Sequence, residues 1–338
     1  MTAITDDAVG TTPSRIGSGL ALAVVAAVSF GLSGSLAKGL LDSGWSPGAA
    51  VTARILIAAA ALSIPAALAL RGRWALVSRN LGLFVVYGLV AVAGCQLAFF
   101  NAVDHMQVGV ALLIEYTAPV AVLGWQWVRH GRRPGRTTVT GALVAAVGLV
   151  LVLDLVSGAQ LSLIGVLWAL GAMVGVATFF VISADEDNGL PPIVLAAGGL
   201  SVGGIVLLLA GLVGIVPMAT SSARVELAGA DVAWWVPVLL LGVVTAALAY
   251  AAGIAAGRRL GARLSSFVGL LEVVAALVFA WLLLGELPRV VQLFGGVLIL
   301  AGVIVVRLGE REAPGPEPLI DAASTHDSRG PEARLDGP

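Results

Sequence analysis

The sequence predicts an all-α integral membrane protein of ten transmembrane helices, arranged as two five-helix repeats of opposite orientation. Three observations predict it: an apolar composition that water cannot accommodate, ten apolar runs of span length, and a self-similarity at a shift of 154 residues. Of 338 residues, 59% are hydrophobic and 12% are charged. Soluble domains carry about 25% charged residues. One soluble core cannot bury so much apolar side chain, whereas a bilayer solvates it on the outer face. The net charge of −1 gives no reason to expect a nucleic-acid partner.

A helix needs about 20 apolar residues to cross the hydrocarbon core. Ten runs meet that requirement: 17–41, 47–70, 80–101, 107–128, 137–154, 162–184, 192–215, 233–256, 264–284 and 290–307. The breaks carry turn residues or charge, among them Gly44-Trp45-Ser46-Pro47, Arg71-Gly72-Arg73, Arg132-Arg133-Pro134-Gly135, the acidic stretch 185–189 and Gly285-Glu286-Leu287-Pro288. Residues 1–16 read as a polar N-terminal tail, and 308–338, rich in Pro, Gly and charge, as a disordered one. No small-residue cleavage site follows the first run, so it reads as an uncleaved span.

Arginines orient the bundle. With both termini in the cytoplasm, thirteen arginines fall inside: 15, 71, 73, 79, 129, 132, 133, 136, 258, 259, 263, 307 and 311. Only Arg224 and Arg289 fall outside, an asymmetry that the positive-inside rule translates into this topology. The acidic loop 185–187 also falls inside and is the exception; acidic residues contribute little to orientation.

Residues 119–153, shifted by 154, overlie 273–307. Trp127 then meets Trp281, and Gly131, Gly141 and Gly148 meet Gly285, Gly295 and Gly302. The first repeat covers 17–154 and the second 162–307. Each holds an odd number of spans, so the second must cross in the opposite sense. Inverted repeats form two half-bundles that can rock about a midplane site, which favours transport.

Gly285-Glu286, followed by Leu293-Phe294-Gly295-Gly296 and Leu300-Ala301-Gly302, resembles the end of an EamA domain of the drug/metabolite transporter (DMT) superfamily. The first half has Gly131-Arg132 where that pattern has Gly-Glu, but it keeps Gly141 and Gly148. The stretch Gly109–Pro119 resembles the fourth span of the threonine/homoserine exporter branch. The resemblance implies a ten-helix transporter of the bacterial inner (plasma) membrane that exports small metabolites or amino acids.

Ionisable side chains at membrane depth are costly and mark pathways or paired interior sites. Lys38, Arg54, Glu115 and Glu272 are the four in this chain, with formal charges that sum to zero. Glu115 lies mid-span with Pro119 four residues on, which would free the Glu115 carbonyl and gather the hydroxyls of Tyr116 and Thr117 around one turn. Arg54 in the second span has comparable depth, so an Arg54–Glu115 pair is expected, serving either as a substrate or proton site or as a static lock. Repeat register puts Gly269 opposite Glu115, so Glu272, one turn away, is expected to face the same cavity, serving either function or polar packing. Lys38 lies near an outer end, where it can snorkel to the headgroups. Gln96, Asn101, Trp168, Thr178 and Tyr250 are further candidates, for the cavity or for helix–helix hydrogen bonds. The pairs Gly171/Gly175, Gly199/Gly203 and Gly253/Gly257 read as close helix packing. Cys95 reads as a buried structural thiol.

There is no GxxxxGK[ST] loop, so the energy for transport must come from a gradient. His105, His130 and His326 are not spaced as metal ligands, and no Ser–His–Asp set exists. No cofactor or metal is expected. The reading is a secondary transporter with a small-molecule substrate, the bilayer as surroundings and the proton as candidate coupling ion; homodimerisation is left open. The competing classes are a non-transporting scaffold and a lipid-modifying membrane enzyme, and the latter lacks a clustered base or metal.

Overall fold

The computed structural model describes residues 13–105, 114–130, 135–152, 162–285 and 289–312. Residues 1–12 and 313–338 of the expected tails, part of the fourth run and the loop around Arg132 lie outside these residues; the inner ends of both tails, 13–16 and 308–312, are helical and extend the first and last helices. The described residues are helical almost throughout. Among the described residues six helices are long and apolar enough to cross a membrane, and three further apolar helices are shorter, at Arg136–Leu151, Leu271–Leu284 and Leu293–Val306.

Helix α1 spans Pro13–Asp42 and α2 spans Pro47–Leu70. The start of α2 follows from its sequence. Pro47 needs no N–H partner in the first turn, and the Ser46 hydroxyl accepts the Ala49 N–H. Its end is set by Arg71 in the left-handed region, whose N–H closes on Ala67 O. Helix α3 covers 81–105 as Leu81–Val86, a π-helical stretch Tyr87–Gly94 and Cys95–His105. Then come α4 (Ala118–His130), α5 (Arg136–Val152), α6 (Leu163–Ala184) and α7 (Pro192–Leu212). A small hairpin, β1 (Val225–Leu227) with β2 (Ala230–Val232), pairs antiparallel in the register Glu226 opposite Asp231. Helix α8 covers 235–269 as Trp235–Gly242, a second π-helical stretch Val243–Leu248 and Ala249–Gly269. Helices α9 (Leu271–Leu284) and α10 (Val290–Glu312) complete the bundle.

Two expected boundaries are corrected. The run 107–128 is not one helix among the described residues: the chain turns at Tyr116-Thr117 and restarts at Ala118. Pro119 therefore sits in the first turn of α4, where its missing N–H costs nothing, and not in a helix interior. The run 264–284 is likewise divided, by a turn at Leu270. The end of the eighth run is marked by Gly261, whose φ of 77° interrupts α8. The turns at 116 and 270 are 154 residues apart, and the two π-helical stretches occupy matching places in the third and eighth runs.

Glycine decides how the helices meet. A Cβ on Gly141 would lie 2.8 Å from Gly302 O, and one on Gly148 would lie 2.6 Å from Gly295 O. Helices α5 and α10 thus pack antiparallel at backbone contact. The glycines that align in sequence pair crosswise, 141 with 302 and 148 with 295. Helices α2 and α7 are also antiparallel, with Gly48 against Val216 and Gly204 against Leu56. Five of the six expected packing glycines are in close contact: Gly175 abuts Cys95, Gly199 the Tyr87 ring, Gly203 Val92, Gly253 Phe179 and Gly257 Ser183, whereas a Cβ on Gly171 would meet Ala98 at an ordinary 3.5 Å. The interior is correspondingly rich in alanine and glycine among its leucines, isoleucines and aromatic residues, while many other large apolar side chains face outward. Val128 and Leu143 are 85% and 64% exposed, which suits lipid and not water.

The acidic loop is held by cations. Arg15 donates to Glu186 at 2.6 Å. Arg258 donates to Leu190 O and Asn188 Oδ1, and Asn80 Nδ2 donates to Asn188 O at 3.2 Å. Two helices, α1 and α8, and the turn before α3 therefore close on residues 186–190.

A side chain at Gly148 must displace a backbone carbonyl, which cannot yield. Gly148→Leu is expected to destabilise the protein by about 1–3 kcal/mol, as over-packing does. Gly82, with open space around it, is the control: Gly82→Leu should leave the melting temperature in detergent unchanged or raised while Gly148→Leu lowers it.

Candidate functional site

A cavity lies where α1, α3, α6 and α8 meet the two helix breaks. About 100 Å³ of it is accessible to the centres of water molecules. Glu115 reaches it from the turn before α4, and Glu272 from the first turn of α9. Each carboxylate stands beside a discontinuity in its span. Gly269, the repeat counterpart of Glu115, lines the same space.

Glu115 is 9% exposed. Its hydrogen-bond neighbour among the described residues is the Cys95 thiol, 3.8 Å from Oε1. Cys95 is buried as expected, but it belongs to the cavity wall and also faces Ala172 O at 3.6 Å. Glu272 is half-buried and interacts with the Tyr116 hydroxyl. Thr117 does not join them, because its hydroxyl donates to Ile114 O at 2.6 Å on an exposed face.

The expected Arg54–Glu115 pair is not formed; no ion pair within 4 Å joins them. Arg54 is buried behind the cavity wall. Its Nη2 donates to Thr245 O at 2.7 Å and its Nη1 to Gln96 Oε1 at 3.4 Å, while Nε has no partner. The reason lies in the π-helical stretch. Thr245 lies in it, where the regular α-helical register is interrupted and the backbone widens, and the second lone pair of its carbonyl takes one guanidinium N–H. The matching stretch in α3 does the same in reverse: Tyr250 donates to Ala91 O at 3.4 Å, and it also reaches Gln96. Arg54, Gln96 and Tyr250 thus form one polar chain behind the two carboxylates.

Of the residues singled out from sequence, Glu115, Tyr116, Gln96, Tyr250 and Glu272 line the cavity. The rest do not. Asn101 donates back to Leu97 O on its own helix, Thr178 does the same to Val174 O, and Trp168 is 40% exposed on the outer face of α6. Lys38 stands at the hairpin end of the bundle, beside Asp42, Arg224 and Glu226, around a second and more open cavity of about 630 Å³. Sequence reasoning missed the aromatic wall of Phe30, Phe179 and Phe180. Phe30 meets Tyr250 edge-on at 5.2 Å, and Phe179 meets Tyr250 and Phe180 at 5.6 and 5.1 Å. Adjacent aromatic residues in the sixth run were the available signal, but a lipid-facing pair reads the same way.

Among the described residues no group of three His, Cys, Asp or Glu is placed to hold a metal ion.

Comparison with known proteins bears on the family and the fold. The model of the EamA-like transporter family matches twice, at residues 17–154 and 163–308. A crystal structure matches with a TM-score of 0.70 and 20% sequence identity, over 87% of this chain and 98% of that one. At that identity the likeness concerns the fold alone. No curated protein matches by sequence.

Removing the charged hydrogen bonds of Arg54 should cost roughly 1.5–3 kcal/mol, and removing the hydroxyl of Tyr250 about 1 kcal/mol. Unfolding of Arg54→Met and Tyr250→Phe in detergent is expected to rank in that order below the parent. Equal stability of Arg54→Met and the parent would show that the Thr245 carbonyl needs no partner.

Proposed function

Because the chain belongs to the EamA-like transporter family, we propose that it is a secondary transporter moving small organic solutes across the bacterial inner membrane by alternating access. In this reading ten spans form two inverted repeats, and the cavity at their interface is the substrate site. The antiparallel packing of α2 on α7 and of α5 on α10 supports the inversion, since helices related by a two-fold axis in the membrane plane run in opposite senses.

One observation carries the reading. Two carboxylates from corresponding broken spans share one buried cavity between the halves. Helix breaks at midplane depth are tolerated where they line a cavity, and there they supply free backbone groups and mobile joints. Glu115 and Glu272 are then the proton-coupling pair: protonation from one side neutralises them, and release on the other restores the charge. The arginine distribution supports cytoplasmic termini, and export is the direction the family resemblance favours. The likeness of Gly109–Pro119 to the threonine/homoserine exporter branch places amino acids among the solutes to be assayed.

Two measurements test this. In proteoliposomes challenged with amino-acid and drug panels, a pH gradient should drive flux, and Glu115→Gln or Glu272→Gln should reduce the gradient-driven component by about tenfold or more. Gradient-driven flux that persists in both variants would remove the carboxylates from coupling. Absence of flux from the parent protein across both panels would favour the scaffold. Single cysteines replacing Arg129 and Arg289, in a Cys95→Ala background, should be labelled from opposite faces of the membrane; labelling from one face would end the inverted arrangement.

A further inference from the structure

We propose that the segment between α7 and α8 is a strap. Its hairpin bridges α1 and α9 at one end of the bundle, and the central cavity opens toward that end only when the hairpin lets go of α1. The proposal rests on the reading of that cavity as a substrate site reached in turn from both faces.

The strap belongs to one repeat only. Between α7 and α8 the chain runs through residues 213–234, whereas between α2 and α3 it runs through 71–80. The extra length holds β1 and β2. Their turn, Ala228-Gly229, has both residues in the left-handed region, at φ 53° and 72°, which suits the twist of a two-residue hairpin. Ala228 is not a glycine, so its surroundings must hold it there.

On one side the hairpin is held by α9. The Ala228 N–H donates to Leu283 O at 2.7 Å, in the last turn of α9, where helix carbonyls lack donors of their own. On the other side it grips α1. Val225 and Leu227 are buried, and a Cβ on Gly39 would lie 2.8 Å from Val225 Cγ1 and 3.2 Å from Leu227 Cδ2. Leu36, Leu40, Leu283 and Leu284 join them in one apolar cluster. The root of the strap is fixed beside α2. Trp45 Nε1 donates to Ser221 O at 2.8 Å, and Ser46 Oγ to Pro217 O at 2.8 Å.

The place of these ties decides what they do. Helices α1 and α9 also meet at Gly31, where a Cβ would lie 2.7 Å from Ala275 Cβ and 2.8 Å from Glu272 O. Among the described residues, α1 lines the central cavity at Ala23, Ala26, Ala27 and Phe30 and nowhere beyond. The Gly31 contact therefore shuts the cavity on the hairpin side, and access from that side requires α1 and α9 to part. The hairpin spans the same two helices about 12 Å farther along α1. Its hold on α9 includes a backbone hydrogen bond, whereas its hold on α1 is apolar contact, which separates without breaking one. Glu226 and Asp231 are exposed, and the second cavity borders Glu226, so a released hairpin moves into water.

Cys95, the single cysteine, lines the central cavity and reports its opening. A membrane-impermeant methanethiosulfonate is added to one face or the other of oriented vesicles holding the full chain, and modification of Cys95 is followed by mass spectrometry. Val225→Asn with Leu227→Asn loosens the hairpin from α1. Cys95 should then react at least about tenfold faster from the hairpin face and no faster from the opposite face. Gly39→Cys with Val225→Cys does the converse. A sulfur at 225 takes the place of Cγ1, close to the separation that a disulfide to a Cβ at 39 requires. Oxidation of that pair should slow Cys95 at least about tenfold from the hairpin face and stop flux, and dithiothreitol should restore both. Unchanged Cys95 rates in either folded protein, or flux through the oxidised one, would overturn the strap. A rate that rises from both faces also overturns it, because that marks a loosened fold. The disulfide decides the matter if the asparagine variant fails to fold. Cys95 access that follows the strap, with no flux of any solute, keeps the strap and ends the transporter reading. Flux with Cys95 rates indifferent to both changes does the reverse.

Discussion

In a hydrocarbon interior a backbone carbonyl released from its helix must find a donor within the protein, and that constraint organises the centre of this molecule. The two π-helical stretches, Tyr87–Gly94 and Val243–Leu248, each interrupt the helical register at mid-depth. Each is answered by a side chain from the other half: Tyr250 donates to Ala91 O, and Arg54 donates to Thr245 O. The halves are therefore tied across their interface at the places where their own backbones are weakest. Gln96 joins the two ties, and the cavity opens in front of it.

The remainder of the bundle suits that arrangement. Close helix approach is needed to bring the π-stretches within reach, and glycine permits it, at Gly199 against Tyr87, Gly203 against Val92 and Gly175 against Cys95. At the far side α5 and α10 meet at backbone contact through crosswise glycines. The broken spans then have room to turn at 116 and 270 and to present Glu115 and Glu272 to one space. At one end of the bundle Arg15, Arg258 and Asn80 gather the loop 186–190, which explains why an acidic stretch is tolerated among arginine-rich loops.

Much of the molecule was legible in the residues. Span positions followed from apolar length, because the bilayer imposes one thickness on every helix. The repeat was legible because packing positions such as Gly141, Gly148 and Gly302 have backbone of the facing helix within 2.8 Å of where a Cβ would sit, and so their spacing persists in both halves. Glu115, Glu272, Gln96, Tyr116 and Tyr250 were legible as interior groups, since polar side chains at membrane depth must face protein or a cavity.

Partner choice was not legible. Arg54 and Glu115 match in depth and charge, yet Arg54 goes to the Thr245 carbonyl, in the stretch where α8 changes register at 243–248. Nothing in Val243–Leu248 distinguishes it in composition from an ordinary helix. The aromatic wall was hidden for a related reason: a phenylalanine at membrane depth is equally at home against lipid or protein, and only the packing of α1, α6 and α8 turns Phe30, Phe179 and Phe180 inward. Sequence by itself determined which segments lie in the membrane and that they come in two copies, because lipid selects on hydrophobicity and length. Tertiary structure alone decided which groups meet, because inside an apolar solvent hydrogen bonds and ring contacts depend on helix rotation and register, which hydrophobicity does not encode.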